Sequence, residues 1–181
     1  MILVVCTANQ CRSPFTAASL RAHLASRDPA VTVESVGLGG SGYPATLPTI
    51  NAARSFGLDL TQHRSRELDP PIVANADLVI GMERMHVREA VVLDHRAWGH
   101  AFTLKELVRR GAAVGPRQPD EPLAAWLQRV GDGRRPADML GESREDDVAD
   151  PTTDPLGDYE AMAREVEMLV RQLVDLAWPA P

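Results

Sequence analysis

The chain opens on the apolar run Met1-Ile2-Leu3-Val4-Val5 and passes at once into Cys6-Thr7-Ala8-Asn9-Gln10-Cys11-Arg12-Ser13-Pro14. A short β-branched run bounded by polar residues suits a strand buried on both faces of a parallel sheet. Cys6 then sits at the carboxyl end of a central strand, where open α/β sheets bind their ligands. Ser13 and Pro14 read as the N-cap and first residue of a helix, because proline lacks the donor that this position leaves unpaired. Five residues therefore separate a thiol from a guanidinium in a loop that empties into a helix N-terminus.

Such a loop aims amide N–H groups at one point with a helix dipole behind them, which suits a bound dianion and requires no metal. Thiolate is the nucleophilic form of cysteine, and positive potential at a helix start favours it. Arg12 offers a planar fork that holds two phosphoryl oxygens, a geometry a lysine lacks. Ser13 is positioned to donate its hydroxyl to the Cys6 sulfur, and Asn9 to hold a left-handed turn that points amides inward. Thr7, Ala8, Gln10 and Cys11 complete the candidate phosphate cradle, with Cys6 and Arg12 as the candidate catalytic pair. Cys11 has two readings: a partner for a reversible disulfide with Cys6, or a small residue filling the inner side of the loop.

Periodicity beyond the loop predicts an alternating chain. Helix is expected from Pro14 to about Ser26, strand over Val31–Val36, and helix from Leu47 to Phe56 ended by Gly57. Strand follows over Asp77–Ile80, helix over Met85–Leu93, strand over Ala101–Leu104, and helix over Lys105–Arg110 stopped by Gly111. Alternation of this kind means a parallel sheet with helices on both faces. Tyr159, Met162, Val166, Leu169, Leu173 and Leu176 recur at helical spacing and read as one buried stripe. Residues 112–146, rich in proline, glycine and charge, read as a surface excursion, either a lid near the site or a solvated linker around Trp126. His86 reads as a surface helix residue.

A chain of 181 residues, 44% hydrophobic, suffices for one domain with a sizeable core. A formal charge of −6 argues against a broad basic surface for nucleic acid. The opening apolar run is far too short to span a membrane and lacks a basic flank, so a cytoplasmic protein is expected. Zinc is disfavoured, because Cys6 and Cys11 have no second ligand pair at finger-like spacing.

Expulsion of a poor leaving group from phosphorus at neutral pH is eased by a positioned proton donor. Two Asp-Pro pairs stand as candidates, Asp150-Pro151 and Asp154-Pro155, either stiffened by its proline. Asp150 is favoured because it follows Asp146-Asp147-Val148; Asp154 is the reserve. Both also fit an ordinary turn.

The segment from Cys6 to Pro14 resembles the signature of the low-molecular-weight protein tyrosine phosphatases, a small α/β family. Val33-Glu34-Ser35-Val36-Gly37 is similar to the family's second strand and serine-containing turn. Gly57-Leu58-Asp59-Leu60 with His63-Arg64-Ser65-Arg66 resembles its glycine and histidine stretch, and Ala76 to Met82 its third strand. Asp147-Val148-Ala149-Asp150-Pro151 resembles the segment carrying its general acid. The resemblance spans most of the chain except residues 112–146. It implies one phosphatase-like domain over 1–181, a three-layer α/β/α fold with a central four-stranded parallel sheet, and a phosphate loop after the first strand. It also implies a cysteine-dependent phosphatase that acts on phosphotyrosine or aryl phosphates through a phosphocysteine, with no cofactor or metal. Ser35 and His63 match family residues that brace the loop asparagine, here Asn9.

Expected partners are a phosphorylated protein or a small aryl phosphate, without nucleic acid or membrane, the protein being a monomer or weak homodimer. Departures concern substrate: Gln10 and Val36 are unusual, Tyr43 is the nearest aromatic wall, and Thr152 and Thr153 stand where relatives place aromatics. Two other readings remain open on the same loop: an arsenate reductase using an external thiol, and a non-catalytic oxyanion-binding module.

Overall fold

The computed structural model describes residues 1–152 and 158–180. Four parallel strands form one sheet in the order β2-β1-β3-β4: β1 Ile2–Cys6, β2 Val33–Gly37, β3 Leu78–Gly81 and β4 Ala101–Thr103. β1 is central, with Ile2 paired to Val33 on one side and Leu78 on the other. Its side chains alternate between two cores: Ile2, Val4 and Cys6 enter one, Leu3 and Val5 the other. Burial on both faces explains why the run contains no polar residue.

Helices cover each face, giving the three-layer α/β/α arrangement. On one side lie α1 (Arg12–Leu24), α2 (Leu47–Arg54), α5 (Leu104–Val114), α6 (Leu123–Gly131) and α7 (Tyr159–Ala177). On the other lie α3 (Pro70–Ala74), α4 (Arg84–Leu93) and two short 3₁₀ turns, His95–Gly99 and Pro136–Met139. The α7 stripe is core: Met162, Val166, Leu169 and Leu173 are buried, with Tyr159 and Leu176 packed at its margin. Among the described residues, no helix is long and apolar enough to cross a membrane.

Several boundaries differ from the sequence expectation for local reasons. α1 begins at Arg12, two residues before Pro14, with Cys11 at the cap position and no side-chain cap bond. Ser13 is not the cap, because its hydroxyl turns back toward Cys6. β2 begins at Val33, since Val31 is drawn into a turn by a bond from its N–H to Asp28 O at 3.2 Å. α3 was not expected; Asp69 caps it by accepting from Ile72 N at 2.9 Å. α5 runs through Gly111 and ends at Gly115, which has φ +84°. Gly111 serves close packing instead: a Cβ there would stand 3.0 Å from the Trp126 ring.

Within 112–146, α6 buries Trp126, Leu127 and Val130, whereas Gly141, Glu142, Arg144 and Glu145 are exposed. The segment after α6 is anchored by Arg134, whose side chain is 2% exposed and paired to Glu106 at 2.8 Å. The guanidinium carbon of Arg134 also lies 4.2 Å from the Trp98 ring centroid and 4.1 Å from that of Phe102.

Candidate active site

The loop between β1 and α1 folds around Asn9, which has φ +52°. A left-handed residue here reverses the chain, and asparagine tolerates it better than most residues with a side chain. The Asn9 side chain is buried and fully used: Nδ2 donates to Ser13 Oγ at 3.0 Å and to Ser35 Oγ at 2.9 Å, and Oδ1 accepts from Arg66 N at 2.9 Å. Asn9 O accepts from His63 Nε2 at 2.7 Å. A carbonyl can only accept, so the His63 proton is on Nε2. Burial lowers the His63 value from its ordinary range, partly opposed by this bond.

The loop leans on β2. The Leu38 N–H donates to Thr7 O at 2.8 Å. A Cβ on Gly37 would stand 2.7 Å from Asn9 N and 2.9 Å from both Ala8 C and Thr7 O. Only glycine allows the strand and the loop backbone to approach this closely.

Cys6 Sγ lies 2.9 Å from Ser13 Oγ and accepts from Asn9 N at 3.3 Å. Ser13 Oγ also lies 3.3 Å from Val36 O. Ser13 Oγ accepts from Asn9 Nδ2 and has one proton to place on sulfur or carbonyl. An anionic sulfur attracts it more strongly. Cys11 differs. Burial pushes its thiol up to about 12, against a bond to Thr49 that lowers it, so Cys11 is a neutral thiol at physiological pH. Both cysteines are unbridged.

Arg12 is 2% exposed in its side chain and spans the mouth of the loop. Its Nη1 donates to Glu83 Oε1 and to Val148 O at 3.0 Å; its Nη2 donates to Asp150 Oδ2 at 2.5 Å and faces Thr7 Oγ1 at 3.5 Å. The segment delivering Asp150 is tied to the start of α4. Val148 N donates to Met82 O at 2.8 Å, and Asp147 accepts from Arg84 N at 2.7 Å and Ser143 N at 2.6 Å. Buried Asp146 accepts from Arg84 at 2.7 Å and Arg109 at 2.8 Å. Burial raises the Asp146 value, but these two arginines outweigh it and hold the carboxyl below its usual range. Asp150 Oδ1 accepts from Thr152 N and Oγ1 at 2.9 and 2.7 Å.

Cys6, Asn9, Arg12, Ser13, Ser35, His63 and Asp150 thus form one connected constellation. Asp154 and Thr153 lie outside the described residues. A cavity of about 960 Å³ opens beside the site, lined by Thr7, Glu83, Lys105, Asp150 and Thr152 among others. A second cleft of about 880 Å³, lined by Trp98, His100 and Trp178, lies at the opposite, amino end of the strands and holds neither cysteine.

Two residues escaped the sequence reading. Glu83 anchors the guanidinium of Arg12. His86 is fully buried and bonded to Thr7 and to the backbone of Glu83, so its placement on the surface is corrected. The available signal was the spacing Glu83-x-x-His86 directly after β3, which is a helix-start pairing.

The family profile described as low molecular weight phosphotyrosine protein phosphatase matches residues 1–120. The chain belongs to that family. Among its relatives, the protein named "Probable low molecular weight protein-tyrosine-phosphatase EpsP" of Ralstonia nicotianae is 37% identical over 107 residues, covering 59% of this chain and 71% of that protein. Escherichia coli Etp, a low molecular weight protein-tyrosine-phosphatase, is 37% identical over 93 residues, covering 51% and 60%. Similar solved structures include the low molecular weight protein tyrosine phosphatase of T. tengcongensis, at TM-score 0.70, 26% identity and coverage of 96% and 97%. The YwlE arginine phosphatase of Geobacillus stearothermophilus gives TM-score 0.68 and 27% identity, covering 96% and 90%. As a member of this low molecular weight phosphatase family the protein is a cysteine-based hydrolase.

Proposed function

We propose that the protein hydrolyses phosphotyrosine or other aryl phosphate monoesters in two steps. Cys6 Sγ attacks phosphorus, the bond to the aryl oxygen breaks, and Asp150 passes a proton to that leaving oxygen. Water then attacks the phosphocysteine while Asp150 takes its proton back, and the sulfur leaves with the Ser13 hydroxyl donating to it. Arg12 and the amides of Thr7, Ala8, Asn9, Gln10, Cys11 and Ser13 hold the phosphoryl oxygens throughout.

The observation that carries this reading is Arg12 Nη2, which meets Asp150 Oδ2 at 2.5 Å. One guanidinium nitrogen links the loop that holds the candidate nucleophile to the candidate acid. A phosphoryl group entering the loop takes over donors of Arg12 now used by Asp150, freeing the carboxyl for the leaving oxygen.

The arsenate-reductase reading is not favoured. Burial holds the Cys11 thiol near 12, which closes a relay within the chain and makes that reading depend wholly on an external thiol. A pure oxyanion binder has no use for a sulfur bonded to Ser13.

The test is turnover of phenyl phosphate and phosphotyrosine by wild type and Cys6→Ser, with phosphoarginine as the competing substrate. Phenol release by wild type and none by Cys6→Ser is expected, with acid-quenched wild type carrying phosphate on Cys6. Phosphate binding without turnover in either form contradicts the enzyme reading. Turnover confined to phosphoarginine contradicts the aryl ester assignment.

A further inference from the structure

His86 is fully buried in the first turn of α4. Its Nδ1 lies 2.9 Å from the backbone nitrogen of Glu83 and its Nε2 lies 3.1 Å from Thr7 Oγ1. A backbone N–H always brings a proton, so Nδ1 must be the accepting nitrogen and the neutral ring carries its proton on Nε2. An imidazolium would set Nδ1–H against the Glu83 N–H. The polarity of the second contact follows: Nε2 donates to Thr7 Oγ1.

Thr7 Oγ1 therefore has one lone pair occupied by His86, and it also faces a second obligate donor, Arg12 Nη2, at 3.5 Å. The hydroxyl proton must point away from both. Thr7 is exposed and lines the cavity shared with Asp150 and Thr152. Thr7 Oγ1 and Asp150 Oδ2 lie against the same guanidinium nitrogen, which puts the Thr7 hydroxyl on the side of the site where the candidate acid stands.

We propose that His86 is a positioning residue that orients the Thr7 hydroxyl as a donor to the oxygen linking the phosphoryl group to its leaving group. The inference rests on the phosphatase reading above. As the bond from phosphorus to that oxygen lengthens, negative charge grows on it, and a preset donor stabilises that charge before proton transfer from Asp150 is complete. With the other tautomer the Thr7 proton would be spent on Nε2 and the donor lost. The Glu83 N–H excludes that tautomer, so a backbone amide sets the direction of a side-chain hydrogen bond at the site.

The experiment measures kcat, KM and inhibition by inorganic phosphate for Thr7→Val, Thr7→Ser, His86→Leu and the double variant Thr7→Val/His86→Leu. Thr7→Val is expected to lower kcat about tenfold on poor leaving groups. KM and phosphate inhibition should stay within about twofold of wild type, since the loop amides and Arg12 bind the ground state. Thr7→Ser should restore kcat. His86→Leu should reproduce the deficit, and the double variant should be no slower than either single one. Wild-type kcat in Thr7→Val, or losses that multiply in the double variant, overturns the inference and leaves the phosphatase reading intact. Absence of Cys6-dependent turnover in wild type overturns both. If His86→Leu does not fold, His86→Asn takes its place, keeping an acceptor for the Glu83 N–H but no donor to Thr7 Oγ1, and wild-type kcat in that variant overturns the inference.

Discussion

Asn9 and Ser35, on different elements, are joined by a 2.9 Å hydrogen bond from the Asn9 amide to the Ser35 hydroxyl. That bond fastens the phosphate loop to β2, while Arg66 N and His63 hold Asn9 from the other side. Asn9→Ala removes every side-chain bond of this buried hub. Loss of about 1–3 kcal/mol of stability is expected, together with slower turnover. Asn9→Gly keeps the positive φ and isolates the hydrogen bonds. Urea unfolding and kcat for both variants measure the two contributions, and wild-type kcat in Asn9→Ala would show that the hub does not organise the site.

Gly37 is expected to matter for turnover more than for folding. A methyl group there meets three backbone atoms of the loop at 2.7–2.9 Å, so Gly37→Ala must push the loop outward. A misplacement of this kind lowers kcat/KM by about tenfold to a hundredfold. Kinetics alongside a thermal melt check it, a normal rate being the contrary result.

Asp150→Ala should slow the first step by about a hundredfold, and most for leaving groups of high pKa. Rates across a series of substituted phenyl phosphates give the slope, which should steepen in this variant. If Asp154→Ala steepens it and Asp150→Ala does not, the acid is Asp154.

The buried imidazole of His86 makes stability depend on pH. Burial, then the charge of Arg12, lowers its value from 6.5 to about 3, partly opposed by Asp150 and helped least by Arg88. Between those values the unfolded chain binds a proton that the folded protein does not, so stability falls as pH drops below about 6.5. The limiting slope is about 1.4 kcal/mol for each pH unit. Urea unfolding at a series of pH values from 7 downward should show this loss in wild type and less of it in His86→Leu, and parallel curves would contradict it.

Arg134→Ala takes from buried Glu106 the partner it holds at 2.8 Å and leaves it Arg110 at 3.1 Å, so a loss of about 1.5–3 kcal/mol is expected. Arg134→Met keeps apolar contact with Trp98 and Phe102 but not the charge. Denaturant midpoints of the two variants separate stacking from ion pairing.

Local chemistry made much of the protein legible from its residues. The run Met1–Val5 can only be satisfied between two layers, and Cys6, Asn9, Arg12 and Ser13 are near neighbours whose geometry one loop and one helix start decide. Period alone sufficed for the α7 stripe and the parallel sheet. Long-range contacts were not legible in residue pattern, and Ser35 and His63 were set against Asn9 by family resemblance alone. Nothing at Glu83 or His86 announces that β3 delivers them to a loop more than seventy residues earlier, and Gly111 looks like a helix stop until Trp126 is seen against it. Asp150 stood as a candidate through its Asp-Pro pair and the segment before it, but its contact with Arg12 is created by Asp146 and Asp147 docking on α4 and Val148 on Met82, just after β3. Pattern determined which residues had to be buried or bent. Only packing decided which distant polar groups meet, because a buried donor takes whatever acceptor the fold brings within reach.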